Sequence, residues 1–395
     1  MPSLERGGPI EAWIVDDTGL PKKGKHSVGV ARQYCGQLGK QDNCQVAVSL
    51  SLASEAASLP IAYRLYLPKS WAQDAGRRRK AGVPEEVVFK TKPEIALEQI
   101  TAAHEAGIAP GVVLADAGYG NDTGFRGAVS ALGLKYAMGV LGSTSLWPAA
   151  RTWRSPGLEP LAPKPKGERG LRPGPIGPPG TRLRRDEAHQ PVSAKELAMS
   201  LKPQAWKTIT WREGTNAPLR GRFAALRVRP AHRDQTLSKP RPREWLLIEW
   251  PPGEDEPTKY WLSTLPADTK RADLVDMAKM RWRVERDYQE LKQEVGLGHY
   301  EGRGWRGFHH HATLSIAAYG FLISERETIP PSGPRSPARR KAFSFPEGYR
   351  PRGAADPARA SRHQLNRNGE TSHRRPVGPN TPALPMLCKG MEKAE

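Results

Sequence analysis

The sequence predicts an α/β protein in which a mixed sheet is flanked by helices, a β-rich insertion interrupts this core, and a disordered tail ends the chain. Three observations lead to this prediction. Short apolar or β-branched runs alternate with stretches of helical periodicity over residues 11–145, as in α/β folds. Strand-like runs follow one another between Trp206 and Thr264 without convincing helices between them. Beyond Thr328 the chain loses periodicity and is rich in Pro and basic residues, which is typical of disorder.

The first region has the pattern β-β-β-α-β-α-β. Its strands are apolar runs bounded by Gly, Asn, Asp or Lys, and its helices carry apolar residues at a spacing of three or four. The second and third strands are short and β-branched, and together with the first they suggest an antiparallel three-stranded meander. The predicted elements are strands at 12–15, 28–30 and 45–52, a helix at 92–106, a strand at 111–115, a helix at 122–132 and a strand at 136–140.

The composition changes sharply after this region. Eight prolines interrupt any periodic pattern between Pro156 and Pro179, which indicates a loop or linker. Helical periodicity returns over residues 267–295 and again over 308–325. We therefore predict a first part of the core at 9–150, a basic Pro/Gly-rich linker at 151–195, the β-rich insertion at 196–265, a second part of the core at 266–328 and a basic disordered tail at 329–395.

The charge balance predicts a nucleic-acid partner. Among 395 residues, Lys and Arg number 61 and Asp and Glu number 41, so the formal net charge is +20. Nucleic acid is the usual partner of so basic a protein, because phosphate contacts release condensed counterions. No run approaches the roughly 18 apolar residues that a membrane span needs, and residues 1–30 lack a signal-peptide core, so we expect a cytoplasmic protein without a membrane partner. The three cysteines form no CxxC pair, which excludes a disulfide framework and a four-thiolate zinc site.

Two predicted strands each end in a carboxylate. The first ends at Asp17 or its neighbour Asp16, and the second ends at Asp116, before a Gly-rich opening. A pair of carboxylates suits Mg²⁺, which keeps positions open for water and phosphate oxygens, and two such ions can cleave a phosphodiester. The alternative is that each Asp only forms a turn or caps a helix.

A later helix offers a third carboxylate. Arg281, Glu285 and Lys292 stand at positions i, i+4 and i+11, which places them along one helical face. Glu285 is therefore a candidate third metal ligand between two cations that can bind phosphate. The alternative is a solvated helix with ordinary Arg–Glu pairs.

These residues resemble the DDE insertion-sequence transposases that bear a Tyr-Arg-Glu-Lys signature, and among them the insertion sequence seven-hundred-one group. The resemblance runs through roughly residues 10–327, and its blocks occur in order at family-like spacing. The blocks are Asp16-Asp17-Thr18, Lys22 to Val30, Arg32 to Gly36, Asp116 with Tyr119-Gly120, and Arg281-Trp282 through Glu285 to Lys292.

The resemblance implies an RNase H-like core in which Asp17, Asp116 and Glu285 hold two Mg²⁺ or Mn²⁺ ions. Asp17 is preferred to Asp16 because the first ligand of the family stands immediately before the Thr. The resemblance also implies a β-rich insertion between the second Asp and the Glu, in agreement with the strand pattern.

The same resemblance implies a DNA transposase that cuts the terminal inverted repeats of its transposon and joins the freed ends to target DNA. Arg281 and Lys292 would contact phosphate near the transposon end, and Arg283 is predicted to bind DNA with them. Trp261 is the nearest counterpart of an aromatic residue that stacks on a flipped base in related enzymes, although packing of a buried strand Trp is the alternative. Synapsis of two ends implies a homodimer on DNA, associated with the bacterial nucleoid.

The sequence departs from the family at two places. Ala278 stands where the signature Tyr is expected, and the chain begins about ten residues before the first catalytic strand, where relatives usually carry a DNA-binding region. Two alternatives to a transposase stay open. One is a catalytically inactive, truncated remnant that only binds DNA. The other is a different RNase H-like nuclease that cuts without transposon ends.

Overall fold

The computed structural model describes residues 8–148, 190–212, 218–234, 237 and 241–328, all within the first of two structural units, residues 1–346. They form a mixed sheet of 12 strands with helices on both faces, so the predicted α/β class is confirmed. The predicted tail at 329–395 and most of the predicted linker at 151–195 lie outside these residues. Within the described part of the chain, no helix is long and apolar enough to cross a membrane.

Seven strands and five helices lie within the first described range, residues 8–148. The longest of these five helices, α3, begins at a capping box in which the Thr91 side chain and Glu94 satisfy each other's backbone N–H groups, as expected at a helix start. The elements are β1 (Ala12–Pro21), β2 (Ala31–Cys35), β3 (Lys40–Ala53), β4 (Ser58–Leu65), α1 (Lys69–Ala72), α2 (Ala75–Ala81), α3 (Lys92–Glu105), β5 (Val112–Ala115), α4 (Ala117–Gly120), α5 (Thr123–Ala131), β6 (Tyr136–Val140) and β7 (Ser145–Pro148).

Strand β1 lies in the middle of this half of the sheet. It pairs antiparallel with β3 on one side and parallel with β5 on the other, and β6 continues the sheet parallel to β5. Strands β2 and β4 both pair with β3. Because β1 and β5 are parallel neighbours, their carboxyl ends meet at one edge of the sheet. Asp16, Asp17 and Asp116 therefore share this edge.

The second half of the described chain returns to the same sheet. Its strand order is β6, β12, β11, β10, β7, β8, with β9 beside β10. The predicted β-rich region is thus a set of antiparallel strands that extends the core sheet. The elements are β8 (Val192–Ser193), α6 (Ala194–Met199), β9 (Lys207–Arg212), β10 (Leu219–Pro230), β11 (Glu244–Trp250), β12 (Lys259–Ser263), α7 (Arg271–Lys279), α8 (Trp282–Gln293) and α9 (Trp305–Thr328).

Helices cover the two faces of the sheet with separate apolar clusters. On one face Trp13 and Val15 pack with Ile95 of α3. On the other face Ile14 packs with Val284 of α8. The alternation of side chains along β1 therefore decides which helix each residue of this strand faces.

Three local details differ from the sequence-based expectation. Residues 28–30 form a turn, because Gly29 adopts φ +72°, and the strand lies just after them in β2. Strand β4 was not predicted, since its alternating pattern contains a Pro. The helix predicted over 267–295 is interrupted at Met280 and Arg281, which gives α7 and α8.

Two glycines bring the backbone of α4 against β6. A Cβ atom on Gly120 would lie 2.0 Å from the carbonyl oxygen of Gly139 and 2.9 Å from Cβ of Met138. Backbone atoms cannot move aside as the end of a flexible side chain can. This approach fixes the segment that follows Asp116 against the sheet.

We expect Gly120→Ala to lower the free energy of unfolding by about 1–3 kcal/mol, the usual cost of overpacking a close-packed interior. Gly127→Ala in α5 is the matched control, because its added methyl group would meet nothing within 4 Å. That variant should gain about 0.5–1 kcal/mol from the better helix propensity of Ala. Urea denaturation followed by circular dichroism measures both changes. Equal stability of the two variants would contradict the close approach.

Candidate active site

The two aspartates at the end of β1 face opposite sides of the sheet. Asp16 lies on the face of Ile14, which α8 covers, and Asp17 lies on the face of Val15, which α3 covers. Ile14 pairs with Leu114 of β5 in parallel register. Asp16 and Asp116 each follow two residues later, so they lie side by side at the ends of the two strands. Asp16 and Asp116 are therefore neighbours under α8.

Asp17 is bound to the other face. Lys92, at the start of α3, donates to Oδ2 of Asp17 over 2.8 Å. The hydroxyl of Tyr119 donates to the same oxygen over 3.4 Å. Asp17 thus has a cationic partner away from α8.

Arg281 links Asp16 to the predicted third carboxylate. Its Nη1 donates to Asp16 over 2.7 Å, and its Nη2 donates to Glu285 over 2.8 Å. The planar guanidinium has donors on both sides and can bridge two carboxylates. Residues 265 positions apart in the chain are thereby joined.

The pKa values of Asp16 and Arg281 are both shifted by burial and by the neighbouring charges of this cluster. Burial raises the pKa of Asp16 to about 7 against the attraction of Arg281, and the charge of Asp116 adds to the increase. Burial also acts to lower the pKa of Arg281, but attraction to Asp16 and Glu285 outweighs it and raises this pKa. The cluster therefore contains three carboxylates and one guanidinium. Its negative charge exceeds its positive charge, which favours the binding of cations.

Asp116 occupies the junction of β5 and α4. Its Oδ1 accepts a hydrogen bond from the backbone N–H of Gly118 over 2.9 Å, and it stands at the N-cap of α4. The helix-cap alternative considered for this residue is therefore real, but it uses one carboxylate oxygen. Its charge acts on both Asp16 and Arg281, so capping and membership of the cluster coexist.

Helix α8 packs Val284 and Tyr288 against the sheet, and the predicted stripe lies along the border of this face, because Arg281 and Lys292 are partly buried whereas the Glu285 side chain is 62% exposed. The Tyr288 hydroxyl lies 2.6 Å from Ser49 Oγ of β3. Lys292 donates to the carbonyl of Gly19 over 2.9 Å, and burial lowers its pKa to about 8. The stripe thus runs along β1 from Asp16 towards Gly19.

The donor chemistry of the cluster fits a hard divalent cation. Asp16, Asp116 and Glu285 offer carboxylate oxygens, the ligands that Mg²⁺ and Mn²⁺ prefer, and the surplus negative charge would favour a cation there. Within the described residues, no group of three or more His, Cys, Asp or Glu side chains is close enough together to hold a metal ion. The Arg281 guanidinium stands between Asp16 and Glu285, so metal binding requires this side chain to move.

Trp261 lies near the cluster on β12. It pairs with Gly139 of β6, and a Cβ on Gly139 would lie 3.2 Å from the backbone carbon of Asp116. The ring is partly buried, and Nζ of Lys279 lies 5.4 Å from its centroid. Lys279 also forms an ion pair of 2.6 Å with Glu249. Trp261 therefore belongs to a packed group that includes a buried charge pair.

Arg283 lies elsewhere. Its guanidinium donates to the carbonyl of Glu55 over 2.6 Å, because residues two apart on a helix face different directions. The structure does not bring Arg283 to the carboxylates, whereas it brings Arg281 directly to Asp16.

Sequence reasoning missed three residues of this region. Tyr288 follows Arg281 by seven positions, so helical spacing could have found it. Lys92 and Lys279 could not be identified from local sequence patterns. Their partners are distant in the chain, and the register of the sheet decides where these partners lie.

The comparison with known proteins identifies the family of the chain. A family model described as DDE superfamily endonuclease matches residues 1–218. This is more than half of the 395 residues. The chain belongs to the DDE superfamily endonuclease family. The matched range contains Asp16, Asp17 and Asp116, while Glu285 lies beyond it and is connected to Asp16 by the Arg281 bridge.

One relative is a probable transposase for insertion sequence element IS701 from Microchaete diplosiphon. It is 35% identical to this chain over 136 residues, which are 34% of this chain and 33% of the relative. The match thus spans about a third of the relative's length.

The Lys279–Glu249 pair gives a test of the packing around Trp261. The two side chains are 11% and 7% exposed, so Glu249→Gln should destabilise the fold by about 3–5 kcal/mol because it leaves a buried ammonium without its partner. Lys279→Met with Glu249→Gln should recover most of this loss. Urea denaturation of the two single variants and the double variant measures the coupling, and additive losses would contradict the pair.

Proposed function

We propose that this chain is a transposase of an insertion sequence, which cuts the DNA at the transposon ends and joins the freed 3′ hydroxyl groups to target DNA. The net charge of +20 supports a polyanionic substrate. The endonuclease family supports phosphodiester chemistry, and the similarity to a probable transposase supports transposon ends as the substrate.

The observation that carries the proposal is the Arg281 bridge between Asp16 and Glu285. It gathers an acidic cluster from three distant segments of the chain, with Asp116 beside Asp16. A solvated helix with an ordinary ion pair does not account for it, because the Asp16 side chain is only 14% exposed and its partner comes from another element.

We propose that Asp116, Glu285 and one aspartate of β1 hold two Mg²⁺ or Mn²⁺ ions. Such ions, when bound, lower the pKa of an attacking water and stabilise the leaving oxygen. The family motif favours Asp17, which stands directly before Thr18. The contacts with Arg281 and the neighbouring Asp116 favour Asp16. The three carboxylates would fix the geometry of the reaction and would not act as covalent nucleophiles.

Basic and aromatic side chains around the cluster would position the DNA. Arg281 can exchange its carboxylate partners for a phosphate group, to which a guanidinium binds with two parallel hydrogen bonds. Lys292, whose charge is disfavoured by burial, would gain from a phosphate nearby. Trp261 is the proposed platform for a flipped base, and Arg283 would contact DNA outside the cluster. A homodimer on DNA would hold the two transposon ends together, in the nucleoid of a bacterial cell.

We expect Glu285→Gln to reduce Mg²⁺- or Mn²⁺-dependent cleavage by roughly 10³-fold or more, the scale on which loss of one catalytic group slows an enzyme. DNA binding should be retained, because the substitution removes a negative charge. The measurement is cleavage of a duplex that carries the inverted repeats flanking the gene, with binding followed on the same duplex.

Glu294→Gln is the control for this experiment, since Glu294 stands at the end of α8 as an exposed carboxylate. Full cleavage by Glu285→Gln would contradict the proposed site. Cleavage of duplexes with and without the repeats at equal rates would contradict the transposase proposal and leave a nuclease of other specificity.

The pair Asp16→Asn and Asp17→Asn separates the two candidates on β1. Asp16→Asn should abolish cleavage, because this carboxylate lies beside Asp116 under α8. Asp17→Asn should retain most of the activity, since its contacts are with Lys92 and Tyr119. Cleavage assays of both variants at equal protein concentration measure this, and the reverse result would assign the ligand to Asp17.

A further inference from the structure

Helix α9 has an apolar side that faces away from the rest of the described chain. Leu314 and Phe321 are 57% and 63% exposed, and Leu322 is 40% exposed. Ala317 and Ala318 between them are exposed as well. The opposite side of the helix is buried against the fold through Phe308, Ala312, Ser315, Tyr319 and Ile323. We call this exposed side the outer stripe. It consists of His310, Leu314, Ala317, Ala318, Phe321 and Glu325.

The outer stripe is symmetric about its middle. Leu314 precedes Ala317 by three positions, and Phe321 follows Ala318 by three positions. His310 and Glu325 stand four positions further out on each side. An antiparallel copy of this helix would therefore place Leu314 against Phe321 and Ala317 against Ala318.

The exposed charges differ between the two ends of the helix. Arg306 lies near the N-terminal end, and Glu325 and Glu327 lie near the C-terminal end, where the intervening Arg326 is paired with Glu290 of α8. Within the described residues, Arg306, Glu325 and Glu327 form no ion pair. An antiparallel copy would bring the acidic end of each helix towards the basic end of the other, whereas a parallel copy would bring like charges together.

We propose that α9 docks on α9 of a second copy of this chain in antiparallel orientation, without DNA. The alanines at the centre let the two helices approach closely, and Leu314 and Phe321 fill the contact on either side. The two-fold symmetry of the stripe matches the self-complementary contact that a two-fold dimer requires. This dimer is distinct from an assembly that depends on bound transposon ends.

The size of the contact predicts a weak dimer. Leu314 and Phe321 are seven residues apart, which is about 10 Å along a helix. A contact of this length lies at the lower end of specific interfaces. We therefore expect the monomer and the dimer to exchange at micromolar concentrations of the full-length chain.

Sedimentation velocity of the full-length chain without DNA, over a concentration series, tests the proposal. Phe321→Glu should weaken the dimer by about tenfold or more, because it places a charge in the centre of the apolar contact. Met199→Glu is the matched control, since Met199 is also an exposed apolar residue on a helix, at 52% exposure, and should leave the dimer unchanged. A wild-type chain that stays monomeric at all concentrations would overturn the proposal.

Cysteine cross-linking tests the orientation. In a Cys388→Ser background, where Cys35 and Cys44 are buried, chains with His310→Cys mixed with chains with Glu325→Cys should form an intermolecular disulfide. Either variant by itself should not, because the two copies of one position would lie about 22 Å apart along the helices. Disulfide formation by each variant alone would overturn the antiparallel contact. The absence of a disulfide in both the single variants and the mixture would overturn it as well. In the latter case, protection of the stripe by residues 329–395 of the same chain would identify another occupant.

Discussion

The pairing of β6 with β12 is the contact on which the candidate site depends. Strand β12 joins the core sheet in antiparallel register, with Trp261 opposite Gly139. The chain then turns into α7 and α8, so this register decides where Arg281 and Glu285 lie above Asp16. The long stretch between the second Asp and the Glu is therefore part of the scaffold that delivers α8 to the sheet.

Much of the architecture could be predicted from local patterns. Apolar runs and helical spacing identified most of the strands and helices, and the spacing of Arg281, Glu285 and Lys292 placed the three side chains on one side of α8, next to the face that Val284 and Tyr288 bury. Strand β4 could not be predicted because it contains Pro60, which is unusual inside a strand. The break before α8 could not be predicted because the helical periodicity continues through it. The union of the core and the β-rich region in one sheet depends on long-range register, which no local pattern encodes.

The site shows the same division. Consecutive strand residues face opposite sides, so only one of Asp16 and Asp17 can face α8. Sequence could not decide which one, because the face that α8 covers is set by tertiary packing. The Lys279–Glu249 pair was also beyond prediction, since a buried charge pair joins elements that are distant in the chain.

The register of β12 also has a consequence for synthesis of the protein. Both aspartate strands leave the ribosome long before β12 and α8, since Asp116 precedes Glu285 by 169 residues. At about 5–20 residues per second, translation of this interval takes roughly 8–34 s. A nascent chain with both Asp residues therefore lacks the Glu helix for this time, and the acidic cluster forms only when synthesis has passed α8. Assembly of the site late in translation would delay any cutting of DNA by the growing chain.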